Sequence, residues 1–149
     1  MGHLGVAEIL VGAAIVFGIM LLPKIFFLIT LQTTFQQVKP ENRKMEPALV
    51  WLDLIPVFNL IWNFFIVSYL ADSLKTEFAQ RNINAGEERP GNGIGMTWCI
   101  LNCCGIIPFL GFLTVIAGFV CWIIYWVKVA DFKSKLHNPA AAPAPTPTI

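Results

Sequence analysis

Ile55-Pro-Val-Phe-Asn-Leu-Ile-Trp-Asn-Phe-Phe-Ile-Val-Ser-Tyr-Leu-Ala-Asp72 is the stretch that decides how this chain is read. A proline breaks an apolar run, aromatic residues follow, and the chain leaves the greasy region through Ala71-Asp72 and Lys75. The same order returns later: Ile107-Pro108, then Phe109, Phe112, Phe119, Trp122, Tyr125 and Trp126, then Ala130-Asp131 and Lys133. Proline to alanine is 15 residues in the first copy (56 to 71) and 22 in the second (108 to 130). That difference is about two helical turns, so the second copy reaches its polar exit on nearly the same face with a longer helix. Two helix-break-helix units of this kind describe a multi-pass membrane protein.

Working outward, the 149 residues are 56% hydrophobic and only 13% charged, against about 25% charged in soluble domains. No charge falls between Glu8 and Lys24, Asp53 and Asp72, or Arg89 and Lys128, gaps of 15, 18 and 38 residues. One helical crossing needs about 20 apolar residues, so the first two gaps suit one crossing each and the third suits two short ones. Helix is the expected form, because unpaired backbone groups cannot face lipid and the runs lack the alternation of barrel strands. The apolar start, Gly5 to Leu22, lacks a basic leader and a small-x-small cleavage site and reads as a retained helix. The net charge of +1 and the absence of a long basic run argue against a nucleic-acid partner. All four cysteines lie in apolar segments, which argues against a disulfide framework.

The expected fold is therefore all-α and integral to the membrane: a bundle of about four membrane helices. Its segments are 4–38, 48–82, 95–107 and 110–136, forming one domain over 1–137, with 138–149 a disordered Pro/Ala-rich tail. Segment one is too long for a simple crossing. It either tilts, or breaks near Pro23 so that Ile25 to Val38 lies along the interface. Segment two is kinked or re-entrant at Pro56. A full crossing puts Lys39, Arg43 and Lys44 opposite Lys75, Arg81 and Arg89, whereas re-entry puts all basic clusters on one side, as basic loops prefer. Residues 84–95, rich in glycine, read as a flexible loop, and Pro108-Phe-Leu-Gly111 as a tight hairpin.

Asp53 is the sharpest candidate for chemistry, since an acid inside a membrane segment is a functional hypothesis by default; the alternative is a residue that caps backbone before Pro56. Lys24 is its natural partner if segments one and two pack together. Asn59 and Asn63 stack on one helix face, and with Asn102 they either line a polar path or bond helices together. Cys99, Cys103 and Cys104 are either packing residues or a site for a soft metal such as Cu(I); no cofactor is otherwise indicated. Gly111, Thr114 and Gly118 form a small face on segment four that lets a neighbouring helix come close. Trp51, Trp98, Trp122 and Trp126 sit where interfacial anchors belong. Trp62 lies inside segment two, where a bend at Pro56 would best satisfy its indole. His3 and His137 stand beside no nucleophile, so nothing points to an enzyme.

Pro40-Glu-Asn-Arg43, Met45, Pro47, Leu49-Val-Trp-Leu52, Ile55-Pro-Val-Phe-Asn-Leu60 and Trp62, with Trp122-Ile-Ile-Tyr-Trp-Val-Lys128, resemble a group of small, uncharacterised bacterial multi-pass membrane proteins. The resemblance spans roughly residues 34–136 and implies a bacterial origin and an integral membrane location, with no activity attached. Asp53 departs from the Asn or apolar residue expected there in that group. The expectation is a non-enzymatic protein of the bacterial inner membrane, in contact with lipid and assembling with itself or a larger membrane complex. The alternatives are a small-solute channel or transporter, and a copper or redox site on the third helix.

Overall fold

The computed structural model describes residues 2–107 and 111–138, and among these there are five helical segments and no strand. Helix α1 spans Gly2–Gln37, a 3₁₀ segment spans Pro47–Leu54, and α2, α3 and α4 span Phe58–Arg81, Asn92–Cys104 and Gly111–His137. Two helices, over Gly5–Gln37 and Gly111–His137, are long and apolar enough to cross a membrane. The tail 139–149 and most of the hairpin at Pro108-Gly111 lie outside the described residues.

α1 does not break at Pro23. Proline cannot donate to the carbonyl one turn earlier, yet the helix continues through it. Its character changes there. Val6 to Met20 is exposed throughout, whereas Phe27, Leu28, Leu31, Phe35 and Val38 are at most 1% exposed. The Ile25 to Val38 stretch is therefore the central post of the bundle rather than an interfacial strip. Its threonines turn inward, with Thr30, Thr33 and Thr34 hydroxyls donating to carbonyls of their own helix, which removes most of the polarity expected to hold it at the surface. Phe27 is the hub of the aromatic core, edge-on to Trp98, Trp122, Tyr125 and Trp126 at 5.5–6.1 Å. Such pairs contribute about 0.5–1.5 kcal/mol each. Trp98 and Trp122 are thus core residues at 6% and 9% exposure, not the interfacial anchors expected of them.

Segment two follows a hairpin path. The Lys39 N–H and the Asn42 amide reach Glu77, the Lys44 N–H reaches Ser73, and the Trp62 indole donates to the Leu49 carbonyl at 2.9 Å. Residues 39–54 thus run antiparallel to α2 and reverse at Ile55–Val57. Val57 sits at φ +67, a region costly for a β-branched residue, and the turn is closed by N–H donation from Phe58 to Pro56 and from Asn59 to Ile55. The chain therefore reverses direction at Pro56.

α3 begins at Asn92, earlier than the expected 95, because Gly91 at φ +73 turns the chain into the helix. It packs antiparallel to α4: a Cβ on Gly118 would touch Leu101 Cβ at 3.5 Å, and one on Gly111 would lie 3.0 Å from the Gly105 carbonyl. The small face of α4 is therefore used by α3 of the same chain. α1, α2 and α4 point the same way, and their C-termini converge. Arg81 donates to the carbonyls of Leu136 and Gln37 at 3.0 and 3.2 Å, and Arg43 donates to those of Phe35, Gln36 and Val38. Helix C-termini present unpaired carbonyls and a negative dipole end, and these two guanidinium groups answer both.

Candidate functional site

Lys24 projects from α1, one residue past Pro23, toward the 3₁₀ segment. Its Nζ lies 2.8 Å from Asp53 Oδ2, forming an ion pair in which Asp53 is fully buried and Lys24 is a quarter exposed. The 3₁₀ turn carries Asp53 inward together with Val50, while Leu49 and Leu54 face outward. Asn63 of α2 lies against the same carboxylate. Asn63 Oδ1 is buried and without a hydrogen-bond donor.

Lys24 stands between two clefts. One, about 340 Å³, is lined by Phe17, Met20, Lys24, Asp53, Pro56 and Asn59 among others. The other, about 310 Å³, is lined by Met20, Lys24, Asn102, Phe119 and the two buried tryptophans Trp98 and Trp122. Of the polar residues singled out in the sequence, Lys24 pairs with Asp53, Asn63 lies beside Asp53, and Asn59 and Asn102 each line one of the two clefts that Lys24 also lines. Asn102 is exposed and donates to the Trp98 carbonyl at 3.0 Å, so it belongs to the rim of its cleft.

Glu77 is a second buried acid. Its Oε2 accepts from Asn42 Nδ2 at 2.7 Å and from the Lys39 N–H at 3.1 Å, and its Oε1 accepts from Arg81 Nε at 2.6 Å. Gln80 and Asn42 exchange two further bonds at 2.8 and 3.0 Å. Burial pushes the Glu77 carboxyl up, but the bonds from Asn42, Lys39 and Arg81 outweigh it and hold it below its ordinary value. The available signal was the Glu77/Arg81 spacing of four on the amphipathic end of segment two; Asn42, inside a charged loop, gave none. Around this network Lys75 pairs with Glu88 at 3.0 Å, Arg89 with Asp72 at 2.8 Å, and Lys128 with Glu87. The Lys128 bond is the first of the causes that hold Glu87 below its ordinary value.

The cysteines are free, Cys99 buried and Cys103 and Cys104 partly so. Among the described residues no three His, Cys, Asp or Glu side chains come together as a metal set. Gly95, expected at the end of the flexible loop 84–95, is the tightest glycine contact among the described residues: a Cβ there would lie 2.6 Å from Val67 Cγ1 and 2.9 Å from Tyr125 Cε2.

Comparison with protein-family models, with curated proteins and with solved structures finds no match to this chain. The reading of its function rests on its own geometry.

Proposed function

We propose that this is a multi-pass protein of the bacterial inner membrane, a non-enzymatic component that assembles with itself or with a larger membrane complex. The observation that carries the reading is the bare half of α1, Val6 to Met20, which the rest of the chain leaves uncovered. Gly5, Gly12 and Gly18 on it have open space where a Cβ would stand, and small residues let a second helix approach closely in lipid. The 23 residues between Glu8 and Gln32 span about 35 Å as helix, enough to cross a core of about 30 Å with some tilt. In this reading α1 and α4 cross, and the 3₁₀ hairpin with α2 and α3 fills the same layer from the basic end, which faces the cytoplasm. The small face of α4 is not part of the argument, since α3 already occupies it.

Sizing in a mild detergent tests it: an assembly larger than one chain is expected, and a strictly monomeric particle sinks the reading. Cysteines placed near Lys44, Gly91 and Lys135 are expected to label from one side only.

The convergence of Lys24, Asp53, Asn59, Asn63 and Asn102 favours a second reading, a small-solute path through the bundle. Flux in proteoliposomes should then fall in Asp53→Ala and Asn63→Leu, and unchanged flux in both removes these residues from the path.

A further inference from the structure

The Lys24 ammonium has three donors, and the one bond seen goes to Asp53 Oδ2. The same side chain lines both clefts, and in the 310 Å³ cleft it is the one charged lining residue, whereas the other cleft is lined by Asp53 as well. The 310 Å³ cleft is apolar over most of its wall, with Met20, Pro23, Val115, Phe119 and Trp122, and has Lys24 and Asn102 as its polar residues. Its volume lies at the small end of ligand pockets, about 300 Å³. It suits one short alkyl chain with a single anionic head.

Charge balance narrows the ligand further. Lys24 and Asp53 together are neutral, and an anion added to them would leave a net negative charge in an apolar layer, which is costly. A compensating proton fits on Asp53, which is fully buried beside Asn63, whose Oδ1 has no donor. The groups facing the pair are Asn59 and Asn63 from α2 and Cys99 and Asn102 from α3, while α4 contributes no charged group to the cleft.

We propose that the Lys24–Asp53 pair is a binding site for a small monocarboxylic acid, taken up as its carboxylate together with one proton. The carboxylate oxygens accept from Lys24 Nζ, the proton goes to Asp53, and the alkyl chain lies along Phe119 and Trp122. No covalent bond to carbon is made or broken, and total charge is conserved. The proposal concerns binding alone and rests on neither assembly nor flux.

The test uses the full-length protein in a neutral detergent, with bromo-octanoate as probe and Trp98 and Trp122 as reporters on the cleft wall. Saturable quenching is expected, displaced by octanoate and not by its methyl ester, with uptake of one proton per octanoate bound at neutral pH. Lys24→Gln should weaken binding at least tenfold, and Lys24→Arg should retain it. Asp53→Asn, which mimics the protonated acid, should bind about tenfold tighter and take up no proton. The double variant Lys24→Gln/Asp53→Asn removes both charges together, so its loss of binding with helicity intact separates ligand recognition from misfolding. Undiminished quenching in the double variant, equal displacement by the methyl ester, quenching by a brominated anionic phospholipid but not by bromo-octanoate, or zero proton uptake in the unaltered protein each overturns the proposal.

Discussion

Among the described residues two carboxylates are completely buried, Glu77 and Asp53, and they are served differently. Glu77 accepts three hydrogen bonds, from an amide, a backbone N–H and a guanidinium, and it joins the loop after α1 to α2. Asp53 has one charged partner, Lys24, and one neutral side chain, Asn63, beside it. A fully satisfied buried charge rigidifies what surrounds it, whereas a half-satisfied one costs stability and invites another partner. The polar end of the bundle is therefore a clasp, and the Lys24–Asp53 region is a place that can change.

The largest expected effect breaks the clasp. Glu77→Ala leaves Arg81 and Asn42 without their acid and loosens the capping of two helix C-termini, and should lower stability by about 3–5 kcal/mol, read by denaturant unfolding in detergent. The pH dependence follows from the same contacts. The folded Glu77 titrates below its ordinary 4.5, so its contribution is complete above that value and is lost as pH falls through the lower folded one. Glu77→Gln should flatten this acid limb. If the limb is unchanged, Glu77 is not the group that supplies it.

The next effect compares packing at the two ends. Gly95→Ala forces a Cβ against Val67 and Tyr125 and should cost about 1–3 kcal/mol as overpacking. Gly118→Ala, whose Cβ would make ordinary contact with Leu101, should be nearly neutral. The reverse order would mean that the α3–α4 contact, rather than the α2–α3–α4 junction, sets the packing limit.

How far the sequence could be read follows the same division. The charge-free gaps and the Ile-Pro breaks gave an all-helical chain and the reversal at Pro56 as one of two paths, because those depend on composition and on proline's missing N–H. The Lys24–Asp53 pair was legible since each is a lone charge in an apolar run and so has few partners. Glu77 was not, because a charge among charges has many possible partners and only the tertiary path selects Asn42 and Lys39. Gly95 was masked by its neighbours, as three glycines in five residues read as a loop until Val67 and Tyr125 are seen against one of them. The burial of Trp98 and Trp122 was hidden for a related reason: position within a segment reports depth along the helix and says nothing of which face meets Phe27.

Asp53→Asn should cost less than Glu77→Ala, about 1.5–3 kcal/mol, the scale of one charged hydrogen bond. Lys24 is a quarter exposed and lines two clefts, so it has somewhere to go when its partner is lost, as the buried Asn42 does not. A loss equal to that of Glu77→Ala would put both acids in the same structural role and erase the distinction drawn between them.

The smallest effect is expected where burial is absent. Glu87 and Lys128 are each more than a third exposed, and solvent competes for both charges, so Glu87→Gln should change stability by less than about 1 kcal/mol. High salt should shrink even that difference, since exposed pairs are screened within about 3 Å at 1 M, while the Glu77→Ala loss should persist in the same buffer. The pairing of a salt-sensitive small effect with a salt-insensitive large one is what separates a surface tie from the clasp. Were Glu87→Gln to cost as much as Glu77→Ala and to ignore salt, burial would not be what distinguishes the carboxylates of this bundle.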